Sequence, residues 1–296
     1  MSESSLAGQI VVVTGAARGL GASLARQLTA KGAKVALLGL EPTELAAVSA
    51  DCRDSAWWEV DVTDGAALEE VAGKVVAHFG GVDSLVVNAG VAQGAPLLYS
   101  DAATYDRVIE VNLLGSIRTV RSFLPHLVAR KGYLLQIASL AAIFPGPMMG
   151  AYCASKSGVE AFAHALRAEV AHHGVGVGVA YLSWTDTDMV RGADAVPGLS
   201  NIRAKLPWPF NKTYPVEPAV AALVTGVVRR SPHVYAQRWL RIMPLFRGTI
   251  PTLVAHTPRK QLVAAEDALR AGGPAATRLV GAGGAADRES ATGTAD

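Results

Sequence analysis

The sequence predicts an α/β fold in which about seven parallel strands form one doubly wound sheet with helices on both faces. Short β-branched runs alternate along the chain with stretches of helical period, as consecutive βαβ units require. The first two strand-like runs, 10–14 and 35–38, are continuously apolar, which is typical of strands covered on both faces. With 296 residues, half of them hydrophobic, the chain can bury a large core.

The remaining elements follow in order from the hydrophobic pattern. After the strands at 10–14 and 35–38, further strands are predicted at 57–62, 84–88, 133–139, 175–182 and 233–236. Helices are predicted from about Leu20 to Gly32 and at 65–79, 102–129, 152–172 and 217–230. Glycines alternate with valines over 174–179, so one face of that strand is bare backbone, suited to close approach by a helix or a ligand.

The domain organisation follows from composition. Since no Ser/Pro/Gly-rich linker divides the first 260 residues, residues 1–260 are predicted to form one catalytic domain, with a substrate loop at 183–216 rich in Trp, Pro and Met. Residues 261–296 form a C-terminal extension. We expect disorder after about residue 271, because the Gly, Ala and Thr there show no periodicity.

Charge and cysteine content exclude several protein classes. The net charge is +2 with both signs mixed, which indicates no nucleic-acid-binding face. Cys52 and Cys153 are too few for a disulfide framework, and no histidine has a partner at metal-ligand spacing. The first residues carry no apolar signal stretch, and no run is long enough to span a membrane. We therefore expect a cytoplasmic protein without a bound metal.

A glycine-rich loop follows the first strand. Residues 14–21 read Thr-Gly-Ala-Ala-Arg-Gly-Leu-Gly and lead directly into a helix. Glycines allow a sharp turn and close backbone approach, and a helix N-terminus offers free amide hydrogens to a pyrophosphate. The flanking strand and helix favour a Rossmann-like dinucleotide site over a glycine-rich turn without a ligand.

The chemistry of carbonyl reduction singles out three further residues. Reduction requires a proton donor at the oxygen, and tyrosine has an ordinary pKa of about 10. Lys156 lies four residues after Tyr152 on a predicted helix, so both project from one face, and we expect the cation to lower the tyrosine pKa. Ser139, at the end of a strand, can hold the substrate oxygen by a hydrogen bond. Taken singly, each residue fits packing or turn formation better than catalysis, and only the set behind a cofactor loop favours catalysis.

These motifs together resemble the short-chain dehydrogenase/reductase family over residues 8–190. The loop matches the family's TGxxxGxG, and the matching residues further along are Asp61-Val62, Asn88-Ala89-Gly90, Asn112, Ser139, Tyr152 and Lys156. The resemblance implies that Lys156 also holds the nicotinamide ribose and that Asn112 supports a water in a proton relay. It implies Thr187 as a contact to the nicotinamide amide, although Leu182-Ser183 replaces the family's Pro-Gly. It also implies a homodimer or homotetramer.

The resemblance yields a catalytic set and a cofactor set. The catalytic set is Asn112, Ser139, Tyr152 and Lys156. The cofactor-binding set is Gly15, Arg18, Gly19, Leu20, Gly21, Glu41, Asp61, Val62, Asn88, Ala89, Gly90, Tyr152, Lys156 and Thr187.

The choice between NAD and NADP depends on the end of the second strand. An acidic side chain there bonds the ribose hydroxyls and repels a 2′-phosphate. Here that position is Gly39, with Glu41 two residues later and no basic replacement. Arg18, in the glycine loop, could instead meet a 2′-phosphate. The sequence favours NAD and leaves NADP open.

The substrate is predicted to be a hydrophobic secondary alcohol or ketone. Three loops supply an apolar lining: Val91, Ala141, Ala142, Ile143, Phe144, Met148, Met149, Trp184, Met189, Val190 and Leu206. Arg191 and Arg203 are the candidates for clamping an anionic group.

Residues 238–254 alternate arginines with large apolar residues. One interpretation is a weak membrane contact, and the other is an extension packed on the domain or on a second subunit. The alternatives to an oxidoreductase are a catalytically silent NAD(P)-binding scaffold or redox sensor, and a lipid-binding protein at the membrane surface. An epimerase or dehydratase on the same fold is disfavoured because the long substrate domain of such enzymes is missing.

Overall fold

The computed structural model describes residues 5–273 and 277–293, and the strands within them form one parallel sheet. In chain order the strands are β1 (Ile10–Thr14), β2 (Lys34–Gly39), β3 (Ser55–Glu59), β4 (Ser84–Val87), β5 (Tyr133–Ile137), β6 (Gly176–Tyr181) and β7 (His233–Tyr235). Their order across the sheet is β3-β2-β1-β4-β5-β6-β7. The order reverses between β1 and β4, where the carboxyl ends of the strands leave a crevice. The predicted doubly wound fold is confirmed.

Helices connect the strands and continue beyond β7. They are α1 (Gly19–Ala30), α2 (Pro42–Asp51), α3 (Gly65–Phe79), α4 (Ala102–Ile109), α5 (Ser116–Arg130), α6 (Gly150–Val170), α7 (Asp188–Asp194), α8 (Pro197–Ala204), α9 (Val216–Arg229), α10 (Ile250–Ala255), α11 (Arg259–Ala271) and α12 (Gly281–Gly293). A π-helical turn, Glu110–Gly115, joins α4 to α5, and a 3₁₀ helix, Arg238–Phe246, follows β7. No helix among the described residues has the length and apolarity needed to cross a bilayer.

The sheet separates two apolar layers because successive side chains of a strand point to opposite faces. On β1, Val12 packs in one layer with Leu68 of α3 and Phe123 of α5. Its neighbour Val13 packs in the other layer with Leu24 of α1 and Leu223 of α9. Both faces of the strand are therefore covered, which explains why its sequence is continuously apolar.

The structure differs from the sequence prediction in strand β3 and in the helix predicted at 102–129. Strand β3 ends at Glu59, because the chain turns at Asp61, whose side chain accepts a hydrogen bond from the backbone N–H of Thr63 at 2.8 Å. The helix predicted at 102–129 is interrupted by the π-helical turn Glu110–Gly115. Such turns carry an inserted residue and have no simple sequence signal.

The segments predicted as irregular contain helices. The loop predicted at 183–216 includes α7 and α8. Disorder was expected after about residue 271, but the structure describes α12 there, while residues 274–276 and 294–296 lie outside the described residues. The backbone N–H of Val280 donates to the carbonyl of Ala92 at 2.9 Å, so this segment is tied to the domain.

The bare face of β6 is occupied by a neighbouring strand's side chain. A Cβ atom on Gly178 would overlap the Tyr133 hydroxyl and the carbonyl oxygen of Ser231. Those two groups are hydrogen-bonded, with the hydroxyl donating at 2.8 Å. The expected close approach is therefore made by Tyr133 of β5.

We expect Gly178→Ala to lower the free energy of unfolding by about 1–3 kcal/mol, because the added methyl must displace a packed ring. Denaturant unfolding measures this change. Gly73→Ala on α3 is the control, since nothing lies within 4 Å of a Cβ atom there. That change should be neutral or slightly stabilising. Equal stability of both variants would contradict the packing described here.

Helix α12 is anchored through a buried carboxylate. Asp287 is 3% exposed, and Arg107 of α4 donates to both of its oxygens at 3.0 Å and 2.9 Å. The same guanidinium donates to Asp61 at 2.8 Å. The C-terminal helix is thus held to the turn that follows β3.

We expect Asp287→Asn to accelerate backbone amide hydrogen exchange over 281–293 by roughly tenfold or more. The reason is that hydrogen bonds between charged groups contribute about 1.5–3 kcal/mol each. Asp106→Asn, one residue before Arg107, removes an exposed carboxylate and serves as the matched control. Unchanged exchange in the Asp287→Asn protein would show that the ion pair does not hold α12.

Candidate active site

Three glycines shape the loop between β1 and α1. Gly15 and Gly19 have φ angles of +63° and +53°, which strain residues that carry a side chain. A Cβ atom on Gly21 would overlap the carbonyl oxygen of Gly15. Within the described residues no side chain caps the N-terminus of α1, so its amide hydrogens and the positive end of the helix dipole remain available. The loop fits a pyrophosphate group.

Asn88 ties the glycine loop to the end of β4. Its side-chain amide donates to the carbonyl oxygens of Thr14 at 2.9 Å and Gly15 at 3.1 Å. In return the Thr14 hydroxyl accepts from the backbone N–H groups of Asn88 and Ala89, both at 3.0 Å. These bonds fix the two strand ends that border the crevice.

Two carboxylates surround one guanidinium at the end of β2. Arg18 donates to Glu41 at 2.7 Å and to Glu44 at 3.1 Å. The Glu41 side chain is only 14% exposed and borders the crevice, beside Gly39. This corner therefore carries a net negative charge.

Asp61 lies in the turn that follows β3 and also borders the crevice. One carboxylate oxygen accepts from the backbone N–H and the hydroxyl of Thr63, and the other accepts from Arg107. Burial alone would raise the pKa of Asp61, but these hydrogen bonds and the adjacent cation hold it below its usual value. Asp61 is therefore ionised.

Every residue of the predicted cofactor set lines a single crevice at the carboxyl ends of β1, β2, β4 and β5. The residues are Gly15, Arg18, Gly19, Leu20, Gly21, Glu41, Asp61, Val62, Asn88, Ala89, Gly90, Tyr152, Lys156 and Thr187. The crevice extends from the glycine loop to α6. The donors and open backbone along it fit an NAD(P) molecule, and these residues would hold it.

Helix α6 places Tyr152 and Lys156 at the end of this crevice. The lysine nitrogen lies 5.6 Å from the centre of the tyrosine ring and donates to the carbonyl of Ile137 at 3.1 Å. The Ser139 hydroxyl accepts from the backbone N–H of Ala141 at 3.1 Å. Ser139 and Tyr152 both also border a second cavity. The two side chains thus stand where the two cavities meet.

Burial moves the two titratable groups in opposite directions. It raises the pKa of Tyr152 to about 12, although a hydrogen bond with Ser139 opposes the shift. It lowers the pKa of Lys156 to about 8. The pKa of Tyr152 is thus raised and not lowered as expected, because desolvation by burial is the largest contribution and the hydrogen bond with Ser139 offsets it only in part. Tyr152 is accordingly a protonated phenol near neutral pH.

Asn112 lies in the π-helical turn behind the crevice wall. Its side chain accepts from the backbone N–H of Val91 at 2.8 Å and donates to the Val91 carbonyl at 2.9 Å and to Ser155 at 3.0 Å. A Cβ atom on Gly90 would meet its carbonyl oxygen at 3.0 Å and Lys156 Nζ at 3.7 Å. Asn112 is 1% exposed and positions the Gly90–Val91 loop beside the lysine.

The second cavity is mostly apolar and contains most of the predicted substrate lining. The predicted residues that border it are Ala141, Phe144, Met149, Trp184, Met189, Val190 and Leu206. Val91 borders the crevice instead. Ala142, Ile143 and Met148 were predicted wrongly as lining, because all three are buried: Ile143 packs in the core beside the sheet, and Met148 packs in a separate apolar cluster with residues of α8 and α11.

Neither arginine considered as an anion clamp is free for that role. Arg191 is exposed and pairs with Asp186 and Asp188. Arg203 borders the second cavity and stacks over Trp184 at 4.3 Å, but its charge is paired with Asp194. In the described lining of the cavity the charge of Arg203 is therefore paired, while its Nε–H group is buried without a hydrogen-bond partner.

The contribution of α12 to the crevice is not predicted from the sequence. Gly283, Ala286 and Asp287 border the crevice near Asp61. No periodic pattern marks this segment, and its anchor is an ion pair between residues 180 positions apart. The one available signal for α12 is the opposite charge of Arg107 and Asp287. The sequence does not reveal that these two residues are in contact.

Comparisons with known proteins identify the family of the chain. Residues 9–196 match the family model described as short chain dehydrogenase. The SadH protein of Mycobacterium tuberculosis is 34% identical over 205 residues, which are 66% of this chain and 73% of that protein. A fatty acyl-CoA reductase of Acinetobacter baylyi is 28% identical over 62% of this chain and 64% of its own length. The human dehydrogenase/reductase SDR family member 7 is 33% identical over 57% of this chain and 52% of its own.

Solved structures show the same fold. The crystal structure of gox2181 superposes with a TM-score of 0.72 at 22% identity, covering 79% of this chain and 96% of that one. Levodione reductase superposes with a TM-score of 0.69 at 22% identity, covering 75% and 91%. The family model spans more than half of the chain. The protein therefore belongs to the short-chain dehydrogenase/reductase family of oxidoreductases.

Proposed function

We propose that the protein interconverts a hydrophobic secondary alcohol and its ketone with a nicotinamide cofactor, and that Tyr152 is the catalytic acid/base. The observation that carries the proposal is the position of Tyr152 and Ser139 on the boundary between the two cavities. One cavity has the glycine loop and the polar donors, and the other is apolar. A carbonyl group held at this boundary would face the hydroxyl groups of Tyr152 and Ser139.

Each residue of the site has a separate role in the reduction. NAD(P)H would supply the hydride to the carbonyl carbon. The Ser139 hydroxyl orients the carbonyl oxygen, and the Tyr152 phenol donates its proton to that oxygen, which leaves a phenolate. Lys156 stabilises the phenolate while it is cationic, that is below its pKa of about 8. Asn112 keeps the loop beside Lys156 in place, and in the reverse direction the phenolate accepts the proton from the alcohol.

We favour NAD over NADP from the charges at the end of β2. Two carboxylates, those of Glu41 and Glu44, both form ion pairs with the single cation Arg18. A 2′-phosphate at this corner would meet a net negative charge, whereas ribose hydroxyls can donate to Glu41.

The substrate class follows from the second cavity. Its walls are apolar, and Arg203 is neutralised by Asp194, so an uncharged apolar ketone fits better than a carboxylate. The name of the Acinetobacter relative, a fatty acyl-CoA reductase, also supports apolar chains as ligands. We further propose a cytoplasmic homodimer or homotetramer in which residues 1–260 form the catalytic domain and α12 of the C-terminal extension completes its crevice.

We expect Tyr152→Phe to lower kcat by about 100-fold to 10,000-fold, because it removes the proton donor while keeping the ring. The affinity for NADH should change by less than about threefold, since the lost hydroxyl lies at the cavity boundary. Initial rates with an apolar ketone and a fluorescence titration with NADH measure the two effects.

The control for this experiment is Tyr235→Phe on β7, which removes a phenol hydroxyl outside both cavities and should keep full activity. Retained turnover in Tyr152→Phe would overturn the mechanism. Tight NADH binding by the wild-type protein without turnover of any alcohol or ketone would favour the scaffold or redox-sensor alternative.

We expect the wild-type protein to bind NADH more tightly than NADPH, and Glu41→Gln to shift the ratio of the two dissociation constants toward NADPH by about tenfold. The reason is that one repulsive charge at ~4 Å costs roughly 1 kcal/mol or more. Glu69→Gln, an identical change at an exposed position of α3, is the control. A wild-type preference for NADPH would contradict the cofactor assignment.

A further inference from the structure

The chain has a long region without acidic residues. From residue 218 to residue 265 there are 48 residues, with seven Lys and Arg and no Asp or Glu. The region begins in α9 and ends in α11, so it includes the 3₁₀ helix Arg238–Phe246 and α10. The whole chain has a net charge of only +2, so the positive charge is concentrated here.

The 3₁₀ helix sorts its side chains into three rows, because three residues make one turn. Leu240 and Met243, one turn apart, are 0% and 6% exposed and belong to the core. Ile242 and Leu245, on the next row, are 53% and 81% exposed. The third row carries the arginines. We use the name basic apolar surface for these two outer rows together with Phe246 and Leu253. Its members are Arg238, Arg241, Ile242, Leu245, Phe246, Arg247 and Leu253.

The arginines of the third row have different roles. Arg247 donates to Glu160 of α6 at 2.5 Å, and the Glu160 side chain is 3% exposed, so this pair fastens the segment to the domain. Arg238 and Arg241 are exposed and form no ion pair with any described residue. They stand beside the exposed apolar row with their charges uncompensated.

The apolar side chains of this surface are unusually exposed. Phe246 is 51% exposed and Leu253, on α10, is 67% exposed, in addition to Ile242 and Leu245. Contiguous apolar surface bordered by charges is typical of an interaction site. A short amphipathic helix with basic and large apolar residues is also the pattern that binds lipid surfaces.

We propose that the basic apolar surface docks the protein reversibly on anionic phospholipid bilayers. Uncompensated arginines are attracted to the negative lipid headgroups, while the exposed leucine and isoleucine enter the boundary of the acyl chains. Charge also argues against a second copy as the occupant. A two-fold contact whose axis passes near the arginines would bring Arg238 and Arg241 of both copies together, and like charges without partners oppose such a contact.

The surface lies next to the apolar cavity. Phe210 borders that cavity and packs against Phe144 at 5.3 Å and against Trp239 of the 3₁₀ helix at 5.1 Å between ring centres. Trp208, two residues earlier, is 76% exposed. A protein docked in this way holds the wall of its apolar cavity close to a membrane that dissolves apolar compounds. Docking itself does not depend on the proposed reaction.

Co-sedimentation with vesicles tests the proposal. We expect the full-length protein to sediment with vesicles of equal parts phosphatidylglycerol and phosphatidylcholine, to bind pure phosphatidylcholine vesicles far less, and to be released by high salt. Arg241→Gln should lower the partition coefficient by about fivefold, which is the contribution that one cation near an anionic surface makes to binding. Leu245→Asn should also lower it, because it removes an inserted apolar group.

The matched control is Lys34→Gln, which removes an exposed cation at the amino end of β2, next to the edge strand β3 and far across the sheet from the segment after β7. Its partitioning should equal that of the wild-type protein. The proposal is overturned if anionic vesicles bind no protein or if Lys34→Gln and Arg241→Gln weaken binding equally. It is also overturned if Leu245→Asn dissociates an oligomer in light scattering, since a second copy would then cover the surface.

Discussion

Tyr152, half-buried, and Lys156, buried, lie together at the carboxyl edge of the sheet, and the desolvation of both side chains shifts the pKa values that decide the chemistry available there. Burial keeps the phenol protonated and brings the lysine within reach of losing its charge. A pair of groups whose pKa values are moved by their surroundings is typical of acid/base sites. Every other feature of the site either encloses this pair or directs a ligand toward it.

The parallel sheet accounts for how ligands would reach the pair. Because the strand order reverses between β1 and β4, the loops after those strands separate and leave a crevice between them. Glycines 15, 19 and 21 keep its floor free of side chains, and Asn88 joins its two borders by hydrogen bonds. The apolar cavity on the far side of Ser139 and Tyr152 comes from α7, α8 and the turn after β5.

Much of this arrangement could be predicted from local sequence. Residues 10–14 form β1 as expected, residues 65–79 form α3, and the predicted cofactor set borders one crevice. What could not be predicted depends on tertiary contact. The sign of the Tyr152 pKa shift depends on how completely the folded chain excludes water, and α12 depends on the pairing of Arg107 with Asp287. The π-helical turn that places Asn112 has no periodic signature either.

The central claim is that a nicotinamide and an apolar carbonyl compound meet at Tyr152. A titration of the wild-type protein with NADH, followed by nicotinamide fluorescence and then by addition of a panel of apolar ketones, tests it most directly. We predict saturable binding of NADH and a loss of its absorbance once a suitable ketone is added. Absence of binding by both NADH and NADPH would contradict the account, because the glycine loop would then not be a cofactor site.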